Sequence, residues 1–142
     1  MKQRCVFIDS NIWFSAVYKT GICSQLLQIL CQNKWMIVVS ELVLEEILRN
    51  IEAKKPSASQ LASEYIKTIN PVVVKNPDET LLDPYLGLAH PDDLPILVSA
   101  IQYHCRYFIT GNIKDFRVKL IQKRTKLKIV TPAHFFLKLN IV

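Results

Sequence analysis

Cys5-Val6-Phe7-Ile8-Asp9-Ser10-Asn11 decides the reading of the fold. Four apolar residues run without alternation and stop at a carboxylate. Such a run suits a strand covered on both faces, as in a parallel sheet, whereas a half-exposed strand would alternate. Similar runs recur at Met36-Ile37-Val38-Val39, Val72-Val73-Val74, Tyr107-Phe108-Ile109 and from Leu127 to Val130. Between them, apolar residues fall at helical spacing: Ile22, Leu26, Ile29 and Leu30, then Leu44, Ile47, Leu48 and Ile51, then Leu94, Leu97, Val98 and Ile101. Ser40 reads as the N-cap of the second stripe, and Ser57 or Ser59 as the cap of a further helix ended by Asn70-Pro71. Residues 76–91 hold two Asp, one Glu and three Pro and read as an irregular loop with one helical turn. A basic helical turn covers 113–121, and Pro132 opens a short terminal helix. Strands alternating with helices predict a three-layer α/β domain with a mainly parallel central sheet flanked by helices.

The 142 residues predict a single domain, 1–142. Half of them are hydrophobic and 21% are charged, which excludes disorder as the default state. No apolar run approaches the ~18 residues of a membrane span. The basic start Met1-Lys2-Gln3-Arg4 is followed by too short an apolar run for a secretory leader, since Asp9 interrupts it. Cys5, Cys23, Cys31 and Cys105 lack Cys-x2-Cys spacing, so they read as small hydrophobes of a reduced, cytoplasmic protein. The three glycines form neither a G-x-G-x-x-G nor a G-K-[ST] motif, which leaves Rossmann and P-loop nucleotide cradles unsupported.

Sites in parallel α/β sheets form beyond the carboxyl ends of the strands, so acids in those places draw attention. Asp9 ends the first strand, where it serves either as a helix cap or as a functional acid. Glu45 and Glu46 lie on one helix. Glu45 has a surface partner in Arg49 at i+4, but Arg49 is also i+3 from Glu46, so the pairing only tilts the choice toward Glu46. Asp92 and Asp93 precede a helix that starts near Pro95, and one Asp would suffice for capping. Asp115 follows the fourth strand after Thr110-Gly111-Asn112. Gathered together, such acids would repel unless a cation intervened, and oxygen-only ligands select Mg²⁺ or Mn²⁺ over zinc. His90, His104 and His134 lack ligand spacing.

Asp9-Ser10-Asn11, Ser40 leading to Glu46, Asp92-Asp93-Leu94-Pro95 and Thr110-Gly111-Asn112-x-x-Asp115 come in the order and spacing of the PIN domain. From Val6 to Pro132 the chain resembles a PIN-domain protein of the toxin type found in prokaryotic toxin–antitoxin pairs. The resemblance implies metal ligands and catalytic acids at Asp9, Glu46, Asp93 and Asp115, with Ser10, Asn11 and Asn112 in support. It also implies a Mg²⁺- or Mn²⁺-dependent endoribonuclease that hydrolyses RNA phosphodiester bonds, leaving a 3′-hydroxyl and a 5′-phosphate. The implied partners are RNA and a cognate antitoxin, with a homodimer left open.

Eight of the 18 basic residues and only one of the 12 acids lie from Asn112 onward, a local charge of +7. Beside the resemblance, Lys114, Arg117, Lys119, Lys123, Arg124, Lys126 and Lys128 read as contacts to the RNA backbone, and charge alone would equally describe a solvated surface. Rival readings are weaker. A haloacid-dehalogenase-like phosphatase needs a second Asp where Asn11 stands, and a receiver domain needs an Asp where Val74 is followed by Lys75. A non-catalytic RNA-binding or scaffold PIN domain and an RNA-processing nuclease that is not a toxin stand as alternatives.

Overall fold

The computed structural model describes residues 4–139. The leader reading of Met1-Lys2-Gln3 and the extreme ends of the 1–142 domain lie outside the described residues. The chain runs β1 (Cys5–Ile8), α1 (Ser10–Tyr18), α2 (Ile22–Gln32), β2 (Met36–Ser40), α3 (Glu41–Lys54), α4 (Ser59–Ile69), β3 (Val72–Val74), α5 (Leu94–Gln102), β4 (Tyr107–Ile109), α6 (Val118–Thr125), β5 (Lys128–Val130) and α7 (Pro132–Lys138). Short 3₁₀ turns cover Pro56–Ala58, Glu79–Tyr85 and Ile113–Asp115.

The five strands form one sheet in the order β3-β2-β1-β4-β5, every neighbouring pair parallel. The apolar run that opens the chain is therefore the central strand, and all four of its residues are fully buried. From β1 the chain winds outward to β2 and β3, then crosses back to place β4 on the other side of β1. Right-handed crossovers put α1–α4 on one face of the sheet and α5 and α6 on the other. The packing partners agree: α1 meets α2 and α3, α3 meets α4, and α2 meets α7. Phe7 stacks on Phe108 across β1 and β4 at 5.2 Å, and Trp35, Tyr107 and Phe135 form an aromatic cluster where α7 closes the core. The Cys5 and Cys105 sulfurs lie 3.2 Å apart in the core, and Cys23 is also buried, so these three act as small apolar groups; Cys31 departs from that reading and is exposed.

Three local expectations change. Neither Ser57 nor Ser59 caps α4, because the 3₁₀ turn Pro56–Ala58 runs straight into it and Ala58 is the cap residue. The basic helical turn expected over 113–121 divides into a 3₁₀ turn at Ile113–Asp115 and α6 at Val118–Thr125, which buries Ile121. Residues 10–18 form a full helix anchored by Ile12, Trp13 and Ala16, where the sequence marks only a helix start.

Candidate active site

The reversal of winding between β1 and β4 opens a crevice at the carboxyl edge of the sheet, the usual place for a site in such folds. Asp9 lies at its base. Its backbone N–H continues the β1–β4 pairing by donating to Ile109 O at 3.0 Å, so the sheet itself sets its position. Asp9 is only 7% exposed. One carboxylate oxygen accepts from the Ser10 N–H at 2.8 Å and the other from the Thr110 hydroxyl at 2.8 Å. Asp9 thus occupies the cap position of α1 and is also tied across the crevice, so capping accounts for only one of its oxygens. Burial pushes its carboxyl above the ordinary value; the bonds from Thr110 and Ser10 oppose that rise, and the charges of Asp93 and Asp115 add to it.

Thr110 was not among the expected site residues. Fully buried at the end of β4, its hydroxyl donates to Asp9 and accepts from the Asn112 N–H at 3.0 Å. It is therefore the hinge between Asp9 and the turn that leads to Asp115. A polar residue directly after a buried strand beside an acid-ending strand was the available signal, but only the β1–β4 pairing shows that the two meet. On the same turn, Asn11 Oδ1 accepts from the Gly111 N–H at 3.1 Å, so Asn11 braces the turn. The exposed Asn112 caps the 3₁₀ turn through its carbonyl, which accepts from the Asp115 N–H at 3.1 Å.

Helix α3 presents its two glutamates differently. Glu45 is exposed and meets Arg49 at 3.8 Å, with both side chains more than 60% exposed. Glu46 is half-buried and turns toward the crevice. Burial raises its carboxyl, a hydrogen bond from the Ser10 hydroxyl opposes this, and the charges of Asp9 and Asp93 raise it further.

Asp92 and Asp93 also part company. Asp92 is exposed; its N–H donates to His90 Nδ1 at 3.2 Å, and its carboxylate lies 3.7 Å from the same nitrogen. A nitrogen that accepts an N–H carries no proton, so the ion pair and this bond exclude one another. Asp93 is the cap residue of α5, yet its side chain makes no capping bond. Its carboxylate is left for the crevice, raised by burial and then by Asp115. The two acids are brought together by backbone pairing between distant loops. Ala89 bridges Phe116, the His90 N–H donates to Asp115 O at 3.1 Å, and the Arg117 N–H donates to Leu88 O at 2.8 Å. The Asp93 N–H in turn donates to His90 O at 2.8 Å.

Asp9 thus feels the charges of Asp93 and Asp115, Glu46 those of Asp9 and Asp93, and Asp93 that of Asp115, which groups the four acids at the carboxyl edge. Among the described residues, no three His, Cys, Asp or Glu side chains stand close enough to form a ready-made metal-ligand group. The donor set itself, all carboxylate and three of its members with raised pKa, suits a hard divalent cation whose arrival would relieve their repulsion.

The basic run does not stay together. Lys114, Arg117 and Lys119 are exposed at the acid edge or on the first turn of α6. α6 then runs back along the sheet, and the β4–β5 register pairs Lys128 with Tyr107, at the amino ends of the strands. Arg124, Lys126 and Lys128 therefore sit on the edge opposite the acids, and Lys123 stands on the last turn that leads there.

A family model described as PIN domain matches residues 5–114, a span that takes in Asp9, Glu46 and Asp93 and ends just before Asp115. Among solved structures, the chain is similar to VapBC2 from Rickettsia felis bound to a DNA fragment from its promoter, with 20% identity and a TM-score of 0.65 over 89% of this chain and 98% of that one. At that identity the likeness is one of fold. No curated protein matches the chain. Among the described residues, no helix is long and apolar enough to cross a membrane.

Proposed function

Since the chain belongs to the PIN-domain family, we propose that it is a metal-dependent endoribonuclease and the toxin of a toxin–antitoxin pair. The observation that carries the nuclease reading is the carboxyl edge at the β1–β4 reversal, where Glu46, Asp93 and Asp115 lie near a buried, doubly hydrogen-bonded Asp9 and three of these four carboxyls are raised. The toxin reading rests on the motif resemblance and on the fold shared with VapBC2.

Asp9, Glu46, Asp93 and Asp115 would hold Mg²⁺ or Mn²⁺. Bound there, the metal supplies charge neutralisation at the phosphate and a water acidic enough to attack near neutral pH. Thr110 and Ser10 fix both oxygens of Asp9, so its orientation costs little when substrate arrives. Ser10 also favours the charged form of Glu46. A carboxylate of this set left free of the metal would accept the proton that an attacking water sheds. Lys114 and Arg117, beside Asp115, would hold the flanking phosphodiesters of the RNA. In-line attack then leaves a 5′-phosphate and a 3′-hydroxyl.

Sequencing the ends of total RNA after expression of the wild type and of Asp9→Asn tests this reading. New 5′-phosphate ends with the wild type and none with the variant are expected, together with loss of cleavage in chelator in vitro. Equal cleavage by a folded Asp9→Asn protein, or cleavage indifferent to chelator, would overturn it. Co-purification of a small partner that suppresses cleavage is the expected result for the antitoxin.

A further inference from the structure

The amino edge of the sheet carries a second charged feature. The ends of α5 and α6 and the segments that enter β4 and β5 border a groove of about 430 Å³. His104, Arg106, Arg124 and Lys126 line it together with Tyr85 and Gln102, and the lining contains neither Asp nor Glu. Arg106, Arg124 and Lys126 are exposed. Among the described residues, the basic nitrogens within 4 Å of a carboxylate belong to Arg49 beside Glu45 and His90 beside Asp92, so no described carboxylate neutralises these three cations. Lys128 adds to the same edge: its ammonium lies 5.9 Å from the Tyr107 ring, and the Arg106 guanidinium lies 5.6 Å from it.

The backbone gives an independent observation. His104 and Lys126 have φ of 60° and 67°, just where α5 and α6 end. Glycine occupies such left-handed helix ends at no steric cost. Here the two positions hold His104 and Lys126, both of which line the one groove, while Lys34 and Asn70 share the conformation elsewhere. Like charges collected without a counter-charge favour a polyanion, and Tyr85 with Ile101 offers an apolar, partly aromatic wall of the kind on which bases rest.

We propose that this groove is an exosite that holds the phosphodiester backbone of single-stranded RNA on the edge of the sheet opposite the catalytic acids. The proposal rests on the reading that RNA is the substrate. Cys5, beside the groove-lining Cys105, stands four residue steps from Asp9 along β1, a span of roughly 13 Å. Helix α6, about 12 Å long, bridges that distance and carries Lys119 and Lys123 at i and i+4 on one side. Lys114, Arg117, Lys119 and Lys123 thus follow one another from the acid edge along α6 toward the groove, a path for an RNA chain. An acidic protein segment would match the charge but leave the aromatic wall without a purpose.

The test uses a fluorescent 20-nucleotide single-stranded RNA and the full chain carrying Asp9→Asn to suppress cleavage. Anisotropy titrations across a salt series compare that parent with one also carrying R106Q, R124Q and K126Q. The added substitutions are expected to weaken binding at least tenfold and to reduce the slope of log K against log salt by about 2, three cations at ~0.7 each. Unchanged affinity and slope would overturn the exosite, including the case in which the triple change abolishes binding of polyglutamate and leaves RNA binding intact. Photocrosslinking of 4-thiouridine RNA to the wild-type chain gives a readout free of substitutions. Crosslinks at Tyr85 or within 101–106 are expected, and crosslinks confined to the acid edge would overturn the proposal. RNA held in the groove by a chain that cleaves no RNA would leave the exosite standing and remove the nuclease reading instead.

Discussion

At the carboxyl edge of the sheet, charge is buried, restrained and perturbed: Asp9 is 7% exposed, bonded at both oxygens, and displaced from its ordinary pKa together with Glu46 and Asp93. At the amino edge, Arg106, Arg124 and Lys126 are exposed, and among the described residues no carboxylate lies within 4 Å of them. Half-buried acids act through geometry, because burial magnifies each interaction and penalises a misplaced oxygen. Exposed cations act through summed field, which is tolerant of position and screened by salt. Single substitutions should therefore be drastic at one edge and graded at the other.

The largest effect is expected for Asp9→Asn and Asp93→Asn. Each removes a proposed ligand, and each should lower RNA cleavage by more than the roughly 10–100-fold that outer-shell changes cost. Cleavage rates of folded variants at saturating Mn²⁺ check this, and near-wild-type rates would place the reaction elsewhere. Thr110→Val tests the support beneath Asp9. It removes a hydroxyl that favours the charged carboxylate, so cleavage should fall about 10–100-fold and its pH profile should move to higher pH. A profile that stays in place would show that Thr110 serves the fold alone.

The two glutamates of α3 make the same comparison within a single helix. Glu46→Gln should impair cleavage strongly, whereas Glu45→Gln should leave it unchanged, because the exposed Glu45–Arg49 pair is worth less than about 1 kcal/mol. Equal losses would erase the distinction between the buried and solvent faces.

The mildest expected effect is on stability. Asp9, Glu46 and Asp93 all have folded pKa values above their ordinary 3.8, 4.5 and 3.8. The native state then binds more protons than the unfolded chain, so their contribution is full below about pH 4 and is lost as pH rises through the raised values. Metal-free protein should accordingly melt lower at neutral pH than this trio would allow if protonated, and Asp9→Asn should melt higher than wild type in chelator. Ligation at a hundredfold excess over Kd restores about 2.7 kcal/mol, a gain of several degrees that the variant should largely lack. Melting curves across pH, with chelator and with Mn²⁺, decide it. An Asp9→Asn protein that melts lower in chelator and keeps the full metal shift would make Asp9 a structural cap.

Much of this was legible in the chain. The strands, the cap at Ser40 and the helical stripes followed from period and composition, because a strand buried on both faces and an amphipathic helix leave signatures within a few residues. The pairing of Glu45 with Arg49 was legible for the same reason. Other features were not local. Thr110 is an ordinary residue until β4 lies beside β1. By pattern either Asp92 or Asp93 could cap α5, and only the fold shows that the Asp93 side chain makes no capping bond. The basic run read as one patch because sequence distance was taken for spatial distance, and α6 carries its second half to the far edge.

By itself, then, the sequence determined the α/β class and a first strand buried on both faces, since these depend on hydrophobic period, whereas the choice of Glu46 over Glu45 and of Asp93 over Asp92 came from the resemblance to the PIN domain. Only the tertiary structure decided the strand order and the crevice between β1 and β4. The same holds for the tie from Thr110 to Asp9, the loop pairing that sets Asp115 beside Asp93, and the division of the cations between two edges. Those depend on hydrogen bonds between residues up to 101 positions apart, which no local pattern encodes.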